Sequence, residues 1–149
     1  MFLSEYRHNL DSKNRLTVPV RYRELLDEGA YIVRGFDRNL MVLTEDAFAT
    51  ISKRLSQMSI TDPLARSLRR LILGSASRLE VDKAGRVLIP EFLCTKVGLS
   101  SDKEAVLVGQ GNYFEIWSPE EWEVQQKALD DSEANTERFK VLDLSTGSE

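Results

Sequence analysis

The sequence predicts an α+β protein in which two tandem half-domains complete one core. A ten-residue segment, Leu10-Asp11-Ser12-Lys13-Asn14-Arg15-Leu16-Thr17-Val18-Pro19, recurs as Val81-Asp82-Lys83-Ala84-Gly85-Arg86-Val87-Leu88-Ile89-Pro90, with the Asp, Arg and Pro pairs each 71 residues apart. The likeness continues downstream at an offset of 74, where Gly35 and Gly109 precede Leu40-Met41-Val42-Leu43 and Phe114-Glu115-Ile116-Trp117, and Phe48 answers Trp122. Each copy reads as strand, turn, strand, Pro-started helix, two strands and an amphipathic helix. One copy buries too little apolar surface to stand alone, whereas 149 residues, 42% hydrophobic and 30% charged, suffice for one compact domain or two intertwined halves.

Taken in order, residues 6–10 and 15–18 read as a strand pair joined by Asp11-Ser12-Lys13-Asn14, and Pro19 suits the start of a helix running to residue 28. The second copy has Gly85 where the first has Asn14. These residue types best tolerate positive φ, so both turns are expected to be left-handed just before their Arg. Residues 31–34 and 40–43 form a further strand pair across Gly35-Phe36-Asp37-Arg38-Asn39. The helix after Thr44 carries Phe48, Ile51, Leu55 and Met58 as a buried stripe. Asp62 caps a connecting helix begun by Pro63, which buries Leu64, Leu68, Leu71 and Ile72 and turns Arg66, Arg69 and Arg70 outward. In the second copy Ser118-Pro119-Glu120-Glu121 fits a reciprocal capping box, and Trp122 packs where Phe48 did. The chain thus divides into a half-domain at 5–58, a connecting helix at 59–75, a second half-domain at 76–129 and an acidic tail at 130–149, mobile at its end from Ser145.

No apolar run approaches the roughly 18 residues of a membrane span, and the N-terminus lacks a signal pattern, so a cytoplasmic protein without membrane contact is expected. Cys94, the single cysteine, reads as a small core residue. The net charge of −4 argues at first against nucleic acid. Its distribution reverses that: residues 1–23 hold five basic and two acidic side chains, a net of +3, and residues 118–149 hold three basic and nine acidic, a net of −6. A bipolar molecule can present a basic face despite an acidic total, and composition alone leaves the partner undecided.

With His8 as the only histidine, and no phosphate loop, metal-ligand spacing or nucleophile elbow, the pattern points away from catalysis, cofactors, metals and a small-molecule substrate. A carboxylate pair of Asp11 and Asp82 doing acid-base work is the weak exception. Each Asp more simply supports its own turn, and each Arg then has two readings: an ion pair with the Asp four residues back, or a contact to DNA. For Arg15, beside Lys13, Asn14, Arg7 and Arg21, the DNA reading is the stronger, because two-stranded β elements enter the major groove, where Arg reads guanine and Asn reads adenine. Arg66, Arg69 and Arg70 read as a solvated face, or as the docking surface of a non-enzymatic scaffold for a protein partner.

The stretch Glu5-Tyr6-Arg7-His8-Asn9-Leu10-Asp11-Ser12-Lys13-Asn14-Arg15-Leu16 with Pro19, and its second copy at Leu79-Glu80-Val81-Asp82-Lys83-Ala84-Gly85-Arg86-Val87-Leu88-Ile89-Pro90, resemble the MraZ family of bacterial transcriptional regulators over residues 1–125. Thr61-Asp62-Pro63, Val108-Gly109-Gln110-Gly111-Asn112 and Phe114-Glu115-Ile116-Trp117 support the match. The resemblance implies two tandem AbrB-like (SpoVT-AbrB type) βαββα half-domains forming one pseudo-two-fold β-barrel decorated by helices. It also implies a ring-shaped homo-oligomer that binds short direct repeats in double-stranded promoter DNA, associates with the nucleoid and represses its own division and cell-wall gene cluster. The family's D-x-x-x-R residues fall on Asp11 and Arg15, and on Asp82 and Arg86; Asn14 stands where the family usually has Gly. The DNA-binding set is therefore Arg15, Lys13, Asn14 and Arg7 with Asp11 as turn support, and Arg86 and Lys83 with Asp82 as turn support.

Overall fold

A computed structural model describes residues 1–145, so the mobility expected of the chain end falls, for residues 146–149, outside the described residues. The first copy runs β1 (Glu5–Asn9), β2 (Arg15–Thr17), α1 (Val20–Leu25), β3 (Ala30–Arg34), β4 (Leu40–Thr44), α2 (Glu45–Ser56) and α3 (Pro63–Ile72). The second repeats that order as β5 (Ser77–Leu79), β6 (Arg86–Leu88), α4 (Glu91–Val97), β7 (Glu104–Gly109), β8 (Tyr113–Trp117), α5 (Pro119–Leu129) and α6 (Ser132–Phe139). The protein is therefore mixed α+β, with an antiparallel sheet ordered β1-β7-β8-β4-β3-β5 and a separate two-stranded ribbon of β2 and β6.

The strands are exchanged between the copies. The β1–β2 hairpin read from the sequence shrinks to one bridge, Leu10 to Leu16. β1 lies instead on β7, β5 on β3, and β2 on β6. A tight turn at Asp11 supplies no sheet partner for a strand of alternating pattern, whereas the other copy offers one along the strand. A pseudo-two-fold axis passes between Leu16 and Val87 in the ribbon and between Met41 and Glu115 in the sheet, since each of these opposed pairs joins equivalent residues.

Register also revises the internal alignment. Ile32 lies opposite Val42 and Leu107 opposite Ile116, so Gly109 is the counterpart of Arg34 and not of Gly35. Gly109 serves a different purpose: its amide donates to the Ser4 carbonyl at 2.9 Å, and a Cβ there would strike the Phe2 backbone.

One core is built from both copies, with Leu16, Val18, Tyr22, Ile32 and Val42 packed among Val87, Ile89, Leu93, Leu107 and Ile116. Tyr22 sits at its centre, 5.1 Å from the Phe2 ring and 4.8 Å from that of Phe114, and its hydroxyl donates to the Leu3 carbonyl at 2.7 Å. The Asp62 and Ser118 caps form as the sequence predicts, by accepting from Leu64 N–H at 2.9 Å and Glu121 N–H at 3.2 Å. The Glu121 carboxylate does not return the bond; it accepts from Arg38 at 3.1 Å.

Other expectations are revised. α1 ends at Leu25, three residues early, because the chain turns through Gly29 at φ 104°. Leu64, read as buried, is 78% exposed, and Ala65 takes its place at the face that continues through Leu68 and Ile72. In the first turn the inward row passes through the third helical residue, and Leu64 is the second. Met58 lies beyond the end of α2 and is half-exposed. The acidic segment forms a helix, α6, capped by Asp131 through Ala134 N–H at 3.1 Å, although it buries no residue.

Candidate nucleic-acid interface

Each turn is organised by its Asp. Asp11 N–H donates to the Arg15 carbonyl at 2.9 Å, Asn14 N–H donates back to the Asp11 carbonyl at 3.1 Å, and Asp11 Oδ1 accepts from Lys13 N–H at 2.8 Å and Arg15 N–H at 2.9 Å. Asp82 repeats the set: its N–H donates to the Arg86 carbonyl at 2.9 Å, Gly85 N–H returns at 3.0 Å, and Oδ1 accepts from Ala84 and Arg86 N–H, both at 2.9 Å. Such a turn needs a left-handed residue before the Arg, and Asn14 and Gly85 have φ of 61° and 80°.

The second carboxylate oxygen aims the guanidinium. Arg15 Nε donates to Asp11 Oδ2 at 2.7 Å and Arg86 Nε to Asp82 Oδ2 at 3.2 Å. Arg86 Nη1 also approaches Asp11 Oδ2, at 3.6 Å, which links the two turns. Among the described residues, both terminal nitrogens of Arg15 are without a hydrogen-bond partner. Ion pair and outward contact are thus compatible, because the carboxylate occupies the Nε edge and leaves the Nη pair, the fork suited to bidentate acceptors.

These donors pull the Asp11 carboxyl from its ordinary 3.8 down to about 2, chiefly through the Arg15 backbone N–H and further through the Arg15 side chain and Lys13 N–H. Asp82 is lowered likewise, first by the Arg86 N–H. General acid-base chemistry near neutrality needs a shift in the opposite direction, so the pair is poor acid-base machinery. The described residues contain no cluster of three or more potential metal ligands, and none of their helices is long and apolar enough to cross a membrane.

The ribbon places both arginines together. Leu16 and Val87 point into the core, so alternation turns Arg15, Thr17, Arg86 and Leu88 outward. Arg15 stands opposite Leu88 and Arg86 opposite Thr17, so the two cations lie diagonally across the ribbon. Reciprocal bonds lock the turns to it: Val18 N–H donates to the Gly85 carbonyl and Ile89 N–H to the Asn14 carbonyl, each at 2.9 Å.

Of the other sequence-selected residues, Lys13 and Lys83 are exposed on the two turns. Asn14 is half-buried, and its Oδ1 accepts from Ser101 Oγ at 2.6 Å. Arg7 lies on β1, paired with Glu104 at 2.9 Å and Glu5 at 3.4 Å. Arg23 donates from Nε to the Val18 carbonyl at 2.7 Å and lies across the bare face of Gly85. Its equivalent 71 residues on is Cys94, which is 3% exposed and whose thiol burial pushes up to about 11. Two of the three α3 arginines are also committed, Arg66 to the Ile60 carbonyl at 2.9 Å and Arg69 to the Leu55 carbonyl at 3.1 Å. Sequence reasoning missed Arg23 because the glycine it covers, Gly85, is 62 positions away in the other copy; the available signal was the Arg-to-Cys difference between equivalent positions.

Comparison with known proteins matches this architecture. The family model described as "MraZ protein, putative antitoxin-like" fits twice, at residues 1–71 and 72–142, in step with the internal repeat. A protein of Thermomicrobium roseum named "Transcriptional regulator MraZ" is 40% identical over 129 residues, covering 87% of this chain and 89% of its own. The like-named protein of Herpetosiphon aurantiacus is 38% identical over 145 residues, 97% of this chain and 100% of its own. That of Dictyoglomus thermophilum is 43% identical over 123 residues, 83% of each chain. With both repeats matched and identity sustained along nearly the whole length, the chain belongs to the MraZ family.

Proposed function

We propose that the chain is a sequence-specific, non-enzymatic transcriptional regulator that grips double-stranded promoter DNA with its β2–β6 ribbon. The observation that carries this reading is the pair of Asp-held arginines set diagonally on one outward face of the ribbon. Arg15, with its Nη fork free, reads guanine; Lys13 and Lys83 meet phosphate; Asn14 shapes the first turn; and Asp11 and Asp82 hold the arginines in aim. Arg86 is the weaker copy, since two carboxylates hold it. Arg7, on the adjoining strand, gives up a surface ion pair to join the phosphate contacts.

In the wider reading, the two AbrB-like halves curl sheet and ribbon into one barrel, and several subunits join in a ring. Each subunit then meets one of a series of short direct repeats, so weak single contacts gain from effective concentration. The acidic tails keep away from the DNA rim. The regulator acts on the nucleoid as a repressor of its own division and cell-wall gene cluster. The scaffold alternative is less well supported, because Arg66 and Arg69 are occupied within their own helix pair.

Arg15→Ala tests the proposal. Fluorescence anisotropy on promoter DNA is expected to show a loss of about 1–3 kcal/mol with unchanged melting, and Arg86→Ala a smaller loss. Unchanged affinity in Arg15→Ala rejects the role of Arg15. For the wild type, log affinity should fall steeply with log salt; a flat dependence favours the protein-scaffold reading.

A further inference from the structure

The two halves of the ribbon match in their arginines but not in the residues facing them. Thr17 and Leu88 are equivalents, 71 positions apart, and both project from the outward face. Thr17 is partly buried opposite Arg86, whereas Leu88 is 58% exposed directly opposite Arg15. Further along, Arg21 in the first copy answers Phe92, 50% exposed, in the second, while the intervening pair runs the other way, with Val20, 63% exposed, answering Glu91. An isolated leucine on a surface is ordinary. One that stands opposite Arg15 and two residues from Arg86 on the same face, on a strand whose core duty is met by Val87, is placed by the fold beside both outward-aimed arginines.

Resting on the DNA-binding reading above, we infer that Leu88 is a specificity-determining residue that packs on the C5-methyl group of a thymine beside the guanine read by Arg15. The chemistry is complementary. A major-groove edge that offers guanine N7 and O6 to a guanidinium offers, at a neighbouring thymine, an apolar methyl with no hydrogen-bond demand. Directly opposed residues of an antiparallel pair have Cβ atoms about 4.5–5.5 Å apart, close enough for an Arg and a Leu to converge on neighbouring base edges stacked about 3.4 Å apart. The consequence is polarity. A symmetric ribbon would read an inverted repeat, whereas one with Leu88 at one end and Thr17 at the other distinguishes the two directions along the duplex and so fits a directional site.

The test uses the full-length wild type, Leu88→Ala and Leu88→Thr, and a duplex selected by the wild type from a random library. Each thymine is replaced in turn by deoxyuridine, which removes only the methyl, and each guanine by 7-deazaguanine, which removes only N7. The expected result is one thymine, next to an Arg15-dependent guanine, whose methyl is worth about fourfold in affinity to the wild type and clearly less to both shorter variants. Unchanged melting temperatures exclude a folding effect, since Leu88 does not line the core. If no deoxyuridine weakens the wild type, or the penalty persists undiminished in both variants, the inference is overturned with DNA binding intact. If the wild type enriches no sequence at all, the regulator reading itself fails.

Discussion

At the residue scale, the difference between Asn14 and Gly85 follows from what lies across each turn. Both positions require positive φ, which Asn supports and other side chains resist. Space decides between them. At Gly85 a Cβ would meet the Arg23 guanidinium, while at Asn14 the equivalent of Arg23 is the smaller Cys94, and the Asn side chain reaches Ser101. Gly85→Ala is therefore expected to lower stability by about 1–2 kcal/mol from backbone strain alone. Arg23→Ala in the same chain should relieve the added crowding and leave the strain; thermal melts giving fully additive losses would reject the packing account. The aspartates add a pH signature. Because the folded Asp11 carboxyl lies below its unfolded value, its contribution is complete above the ordinary carboxylate range and is lost as pH falls through about 2. Carboxyl-carbon NMR should find its midpoint near there, and a midpoint at the ordinary 3.8 would contradict the turn geometry.

At the element scale, α2 and α3 form a lid over the outer face of β3 and β4, where Val33, Met41 and Leu43 meet Leu55 and Ile72. Ile72, 3% exposed, carries this contact, and Leu64 carries none of it. Ile72→Ala should cost about 2–5 kcal/mol and Leu64→Ala under about 0.5 kcal/mol in denaturant melts. Equal effects would show that the helix face is misassigned. The second copy has a smaller lid, in which α5 sets Trp122 against Val106 and Trp117; α6 buries none of the described residues, and Glu115, the counterpart of Met41, is tied to Trp117 Nε1 at 3.0 Å. Much of this level was legible. The helix caps, the positive-φ turns and the Leu68 and Ile72 face follow from residue type and period alone. The buried assignment of Leu64 failed because apolar spacing cannot tell which of two adjacent leading residues faces inward, and α6 was overlooked because it has no apolar stripe.

At the scale of the whole molecule, strand exchange makes the halves interdependent. β1 depends on β7, β2 on β6 and β5 on β3, so a separated copy keeps only one strand pair of its own, β3–β4 or β7–β8. A fragment of residues 1–75 is expected to be unfolded at low concentration and to gain structure only as a pair of copies, with one β2 taking the place of β6. Sedimentation combined with circular dichroism checks this, and a folded monomer would overturn it. Exchange also unites the candidate site, because the ribbon exists only when one strand from each copy meets across the axis.

By itself, the sequence determined the duplication, the two Asp-and-Arg turns and their handedness, since these depend on residue type and on neighbours within a few positions. It also marked Arg15 and Arg86 as matched outward groups. Only the tertiary structure decided that the expected hairpins open and re-pair between copies, that Arg23 covers Gly85, and that Leu88 faces Arg15. Pattern along a chain specifies which face of a strand is apolar, but not which distant strand will cover it; that choice is made by the packing of all the strands at once.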